Sequence, residues 1–149
     1  MKKPLLLLTL LLLLSPLAAV SLRAQGDRLL GTYLVEHGDV QSTVRFTRNA
    51  DGRYQCQVTW VSNEPRPDGT YTLDVKNPDP SRRNVRADQV LLMENLVYDK
   101  VRDRWGQSQI YDPTSGKKYR VELSFKDSKT LVVKGMWGPF SRRIYWKKK

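Results

Sequence analysis

Residues 105–119 read Trp105-Gly106-Gln107-Ser108-Gln109-Ile110-Tyr111-Asp112-Pro113-Thr114-Ser115-Gly116-Lys117-Lys118-Tyr119, and this is the chemistry of a β-hairpin. Ile110 and Tyr111 close one strand. Lys118-Tyr119-Arg120-Val121-Glu122-Leu123 opens the next. Between them, Asp112 is placed to accept hydrogen bonds from the amides just ahead of it, and Pro113 presets φ for the first turn position. Gly116 supplies a positive φ where the chain re-enters the sheet. The rest of the chain reads as strands that pair outward from this hairpin.

Period-two alternation marks the half-buried strands. On the C-terminal side Tyr119, Val121, Leu123 and Phe125 alternate with Arg120, Glu122 and Ser124. Lys126–Lys129 turns the chain, and Leu131, Val133 and Trp137 then share one parity, with Gly135 between them where a strand can bend. Gly138-Pro139 ends that segment. Arg143–Trp146 is the final strand, followed by a Lys147-Lys148-Lys149 tail. On the N-terminal side, strands run over Gly31–Glu36, Ser42–Arg48 and Arg53–Val61, separated by His37-Gly38-Asp39 and Asn49-Ala50-Asp51-Gly52. The third carries an apolar row, Tyr54-Cys56-Val58-Trp60, expected to point inward. Residues 62–89 are mainly loop chemistry with one short strand at Thr70–Val75. Gln89–Tyr98 is apolar almost throughout and fits a buried strand or a short helix; strand is preferred.

Eight or nine short strands joined by hairpin turns favour an antiparallel meander. Closing it removes the exposed edges, so the expected architecture is all-β, an antiparallel up-and-down barrel of about eight strands, with a two-sheet β-sandwich as the alternative. Several motifs point the same way. They are the Gly-x-Tyr start, Asp74-x-x-Asn77-Pro78, Trp105, Ile110-Tyr111-Asp112-Pro113-x-x-Gly116-Lys117-x-Tyr119, Leu131-x-Val133-x-Gly135 and Trp146. Over residues 30–146 they resemble a bacterial exported family known as domain of unknown function 2147. The resemblance implies a lipocalin-like barrel and carries no established activity. The chain has Tyr33 where the family commonly has Trp, and a longer loop over residues 62–72.

The amino terminus combines Met1-Lys2-Lys3, an apolar run from Leu5 and the small residues Ala18, Ala19 and Ser21, the pattern of a secretory signal peptide. The run contains Pro16 and is shorter than the ~20 residues a membrane span needs. Cleavage is expected before Gln25, with a second possible exit before Leu22. Residues 1–24 are thus a signal and 25–149 a single barrel domain, periplasmic or secreted. Cleavage before Gln25 removes Lys2, Lys3 and Arg23 and no acid, taking the net charge from +11 to +8. An exported basic protein favours anionic lipid or glycan partners and disfavours nucleic acid. Cys56 is the one cysteine, so no internal disulfide forms, and its apolar strand neighbours make it a buried, inert thiol.

Catalytic chemistry finds little support. His37 is the one histidine, set in a turn, and no Gly-x-Ser-x-Gly elbow occurs. One histidine and one cysteine cannot complete a zinc site. Asp74, Asn77, Asp79 and Asp88 could offer oxygen ligands to calcium, but beside prolines they more often build turns. No enzyme activity, metal or other cofactor is expected. The residues available for a ligand pocket are the aromatics Tyr54, Trp60, Trp105, Tyr111, Tyr119 and Trp137. The sequence therefore points to a non-catalytic binding module for a small apolar or amphipathic ligand, anionic given the charge. Two alternatives stand beside it: an envelope interaction protein that docks on anionic lipid, glycan or protein through its basic surface, and an unrecognised enzyme.

Overall fold

The computed structural model describes residues 23–149; most of the expected signal peptide, residues 1–22, lies outside the described residues. Eight strands run β1 Gly31–His37, β2 Val40–Arg48, β3 Tyr54–Val61, β4 Leu91–Asp99, β5 Arg104–Asp112, β6 Lys117–Asp127, β7 Thr130–Trp137 and β8 Phe140–Lys148. Each pairs antiparallel with its neighbour in sequence, and β8 returns to β1 to close a barrel.

The β5–β6 hairpin turns as its residues dictate. Asp112 Oδ1 accepts from the amide and hydroxyl of Thr114 at 3.0 and 2.7 Å, and Oδ2 accepts from the Ser115 hydroxyl at 2.7 Å. Burial opposes ionisation of Asp112, but these donors together outweigh it and hold its pKa below the usual carboxylate value. Gly116 sits at φ +74°, and a Cβ there would lie 2.5 Å from the carbonyl oxygen of Lys76. The turn is thereby packed against the long connection between β3 and β4.

That connection, residues 62–90, straps the outer wall of the barrel. The Tyr111 hydroxyl donates to Asp74 Oδ1 at 2.6 Å, and Asn77 Nδ2 donates to Asp74 Oδ2 at 2.8 Å, with Asp74, Asn77 and Tyr111 all buried. Burial and the bond to Asp74 raise the phenol pKa of Tyr111. The expected strand at Thr70–Val75 does not form. Only an isolated bridge, Leu73 to Arg86, appears there, because the segment lies across the wall and has no neighbouring strand. Residues 91–99, open between strand and helix in the sequence, form β4.

The core fills one end of the barrel. Residues 23–26 are helical and lead into a 3-10 turn, Asp27–Leu29, that crosses this end. Leu29, Tyr33, Trp105 and Leu96 are fully buried there. Tyr33, in the position where Trp is common, donates its hydroxyl to Leu29 O at 2.9 Å. Trp105 Nε1 donates to Gly26 O at 3.2 Å. Arg48 and the Tyr54 hydroxyl both bond to Asp27, and burial followed by that bond pushes the Tyr54 pKa up to about 12. Cys56 is fully buried, and burial raises its pKa, so the reactive thiolate is suppressed.

Bulges decide which side chains face inward. Thr43 pairs with Trp60 and Val44 with Val58, so Thr59 is an extra residue in β3. Beyond it the parity flips. Tyr54, Cys56 and Val58 point inward as expected, but Trp60 points outward with 44% of its surface exposed, and Val61 takes the inward place. Similar slips occur on β4 and β5, where Asn95 and Gln107 both have φ of 56°.

Candidate ligand site at the barrel mouth

The opposite end is open, and the inward-facing rows of β6, β7 and β8 show where. Directly opposed residues in a ladder project to the same face. From closed end to mouth, the inward rows are Phe125–Leu131–Trp146, Leu123–Val133–Ile144, Val121–Gly135–Arg142 and Tyr119–Trp137–Phe140. Exposure climbs along them. On β8 it goes from 2% at Trp146 to 36% at Ile144 and 63% at Phe140, and on β7 from 0% at Leu131 to 45% at Trp137. Apolar side chains that point into a barrel and still meet solvent line an unfilled interior.

Two features create this opening. First, β8 is hydrogen-bonded to β1 only near its end, at Tyr33 with Lys148 and Leu34 with Lys147. The segment Phe140–Trp146 has β7 on one side and no strand on the other, so the seam gapes toward the mouth. Second, Gly135 places no side chain in the middle row. A Cβ built there meets nothing within 4 Å, so free space lies between Val121 on one strand and Arg142 on the other. Val35, Val61 and Ile110, half-buried and packed against the core, continue the apolar lining.

The rim is aromatic and cationic. Tyr119 and Trp137 meet edge to face with centroids 5.8 Å apart, and Trp137 and Phe140 are 6.3 Å apart. Arg142 has inward parity and is exposed. No carboxylate among the described residues lies within ion-pair distance of it.

Of the six aromatics expected to line a pocket, the structure brings only Tyr119 and Trp137 together at the mouth. Trp105 and Tyr54 belong to the packed closed end. Tyr111 is buried on the outer wall beneath the strap, and Trp60 is on the outer surface. The mouth adds Arg142, Phe140 and Ile144, which the sequence did not mark as site residues, and Gly135, expected only as a place for the strand to bend. A last strand started at Phe140 shows the first three, since Phe140, Arg142, Ile144 and Trp146 share one parity.

A second depression of about 420 Å³ lies between the strap and β4–β5, lined by Arg82, Glu94, Gln109 and Lys118 among others. Its charges are largely paired, Arg82 with Glu94 at 2.9 Å. The strap residues considered for calcium serve local turns. Asp79 accepts from Ser81, Asn77 Oδ1 from the Asp79 amide, and Asp88 pairs with Arg86. Among the described residues no group of three His, Cys, Asp or Glu is placed to hold a metal. His37 is exposed at the end of β1.

These features define a lipocalin-like barrel with eight antiparallel strands. The chain belongs to the family described as "Uncharacterized protein conserved in bacteria (DUF2147)", whose model matches residues 31–148, the whole barrel. It matches no curated protein. Among solved structures it is similar to a Helicobacter pylori protein described as belonging to the lipocalin family. The two are 21% identical with a TM-score of 0.66, and the match covers 81% of this chain and 82% of the other. A looser match is to As-p18, described as an extracellular fatty acid binding protein. It has 17% identity and covers 83% of this chain and 97% of the other, and its TM-score of 0.38 is too low to bear on the fold.

Proposed function

We propose that the protein is a non-catalytic binding module that holds one amphipathic anionic molecule in the barrel mouth. Its apolar part would lie over Gly135 toward Ile144 and Val133, and its charged head at Arg142. The observation that carries this reading is the empty inward face at Gly135, bordered by half-exposed apolar side chains and by the Arg142 guanidinium, which has no carboxylate at ion-pair distance among the described residues. A wall of this kind rewards burial of an alkyl chain by about 0.8 kcal/mol per methylene.

Oleate is a suitable probe, since Trp137 sits on the rim and its emission reports occupancy. Titration should shift that emission to the blue with saturation. Gly135→Leu fills the space at a strand position without positive φ, so it should keep the fold and weaken oleate binding about tenfold or more. Arg142→Ala should weaken oleate more than it weakens uncharged mono-olein. Oleate bound equally by the wild type and Gly135→Leu would place the ligand elsewhere. Absence of any oleate response, with no small molecule carried along in native mass spectrometry, would refute a binding module of this kind.

The same reading takes residues 1–24 as an export signal. What supports it is the place where the barrel begins. Gly26 and Asp27 already bond to Trp105, Arg48 and Tyr54, so cleavage before Gln25 leaves the closed end whole. N-terminal sequencing of protein recovered from the cell envelope should begin at Gln25. An intact Met1 start held in membrane would contradict it.

A further inference from the structure

The β7–β8 hairpin extends the mouth on one side and carries chemistry that ligand holding does not use. Its tip is Trp137-Gly138-Pro139-Phe140, with Gly138 at φ 54°. Trp137 and Phe140 are exposed there side by side. Two large rings open to water at a hairpin tip are costly in a protein that stays in solution. Tryptophan and its aromatic neighbours are the side chains that settle at the boundary between headgroups and acyl chains.

The charge of the same hairpin is one-sided. The last 22 residues, Ser128–Lys149, hold seven lysines and arginines and no acid. On the outer face Lys134 is directly opposite Arg143, a like-charge pair that destabilises a ladder unless an anion comes between. Glu122, opposite Lys134 on β6, is already held by Arg104 at 2.5 Å and Arg102 at 3.7 Å. Among the described residues Lys134, Arg143, Arg142 and Arg120 have no carboxylate at ion-pair distance. Arg142 and Arg143 follow Phe140 by two and three residues, which sets them roughly 7–10 Å behind the tip at strand rise. That spacing matches an aromatic tip seated at the acyl boundary with cations at the level of the lipid phosphates.

We propose that the β7–β8 hairpin docks the protein on an anionic lipid bilayer. Trp137 and Phe140 enter the headgroup region, and the outward pair Lys134 and Arg143 meets the phosphates. The docking surface is separable from the ligand site, because Lys134 and Arg143 face outward and Phe140 lies at the hairpin tip with 63% of its surface exposed.

The test uses purified protein sedimented with phosphatidylcholine vesicles, with and without phosphatidylglycerol, at low and high salt. The protein should pellet with the anionic vesicles and remain in solution with the neutral ones, and salt should release it. Phe140→Ser should weaken partitioning about tenfold. Lys134→Glu with Arg143→Glu should weaken it about a hundredfold or more. Gly135→Leu, which blocks the cup, should bind vesicles like the wild type, so that failure of the ligand reading and failure of this one are told apart. Phe140 and Arg143 are exposed, Lys134 is half-buried on the outer face and Gly135 borders unfilled space, and circular dichroism checks that the variants fold. Equal binding to neutral vesicles, or none to either kind, overturns the proposal. So does a Phe140→Ser protein that binds as well as wild type and is competed off by soluble polyglutamate, which would make the surface a general polyanion site.

Discussion

Trp105→Ala should destabilise the barrel by about 4 kcal/mol, the range for removing a buried large aromatic. The side chain is fully buried and packs at 5.0 Å on Tyr98 and edge to face at 5.7 Å on Phe125, with the Arg28 guanidinium 5.7 Å from its ring. Its indole also holds Gly26 O, so its loss both leaves a cavity and unpins the turn that closes the barrel end. Against a domain stability of ~5–15 kcal/mol this is a large share. Trp105→Phe separates the two contributions. It keeps much of the packing and removes the donor, at an expected cost of about 1–3 kcal/mol. Urea denaturation followed by circular dichroism reads both. An alanine variant within about 1 kcal/mol of the wild type would mean that the closed end is held by other contacts.

Gly116→Val should cost about 3 kcal/mol. A β-branched residue resists φ +74°, for ~1–2 kcal/mol. Its Cβ would also fall 2.5 Å from Lys76 O, a backbone atom that moves only if the strap moves. Thr114→Ala, in the same turn, loses one exposed hydroxyl bond to Asp112 and should cost under about 1 kcal/mol. The difference should appear as a lower melting temperature for the valine variant, and limited proteolysis should cut residues 62–90 sooner in it. Equal melting temperatures for the two would show that neither the turn conformation nor the strap contact constrains the hairpin.

The two variants probe features that were legible to different degrees. The need for glycine at 116 follows from Asp-Pro-x-x-Gly alone, since turn residues act within a few bonds of each other. That a valine there would also strike the strap does not follow, because Lys76 is 40 residues away and meets Gly116 only in three dimensions. Trp105 stands among the aromatics available for a pocket, although an aromatic in a strand more often fills a core. Whether a buried ring lines a cavity or fills a core depends on what else reaches the same space. Here Leu29 and the turn before β1 fill it.

Trp60 shows the limit most directly. Its row, Tyr54-Cys56-Val58-Trp60, alternates without a break, and nothing local marks Thr59 as surplus. The bulge arises because β3 must match β2 on one side, and it turns Trp60 to solvent and Val61 inward. Tyr111 is a similar case. It has the outward parity of its strand and is buried only because the strap brings Asp74 over it.

Local alternation and turn chemistry were thus enough for an antiparallel barrel of about eight strands, the tight β5–β6 turn and the inert thiol, because each is written within a few neighbouring residues; they did not decide β4, which reads equally as strand or helix, and they suggested a strand at Thr70–Val75 that does not form. Tertiary structure decided which end of the barrel is plugged, which side chains the bulges turn out, and where the mouth opens. These depend on pairings between distant strands, above all the short seam of β8 with β1, which leaves Ile144, Arg142 and Phe140 paired with β7 on one side and with no strand on the other.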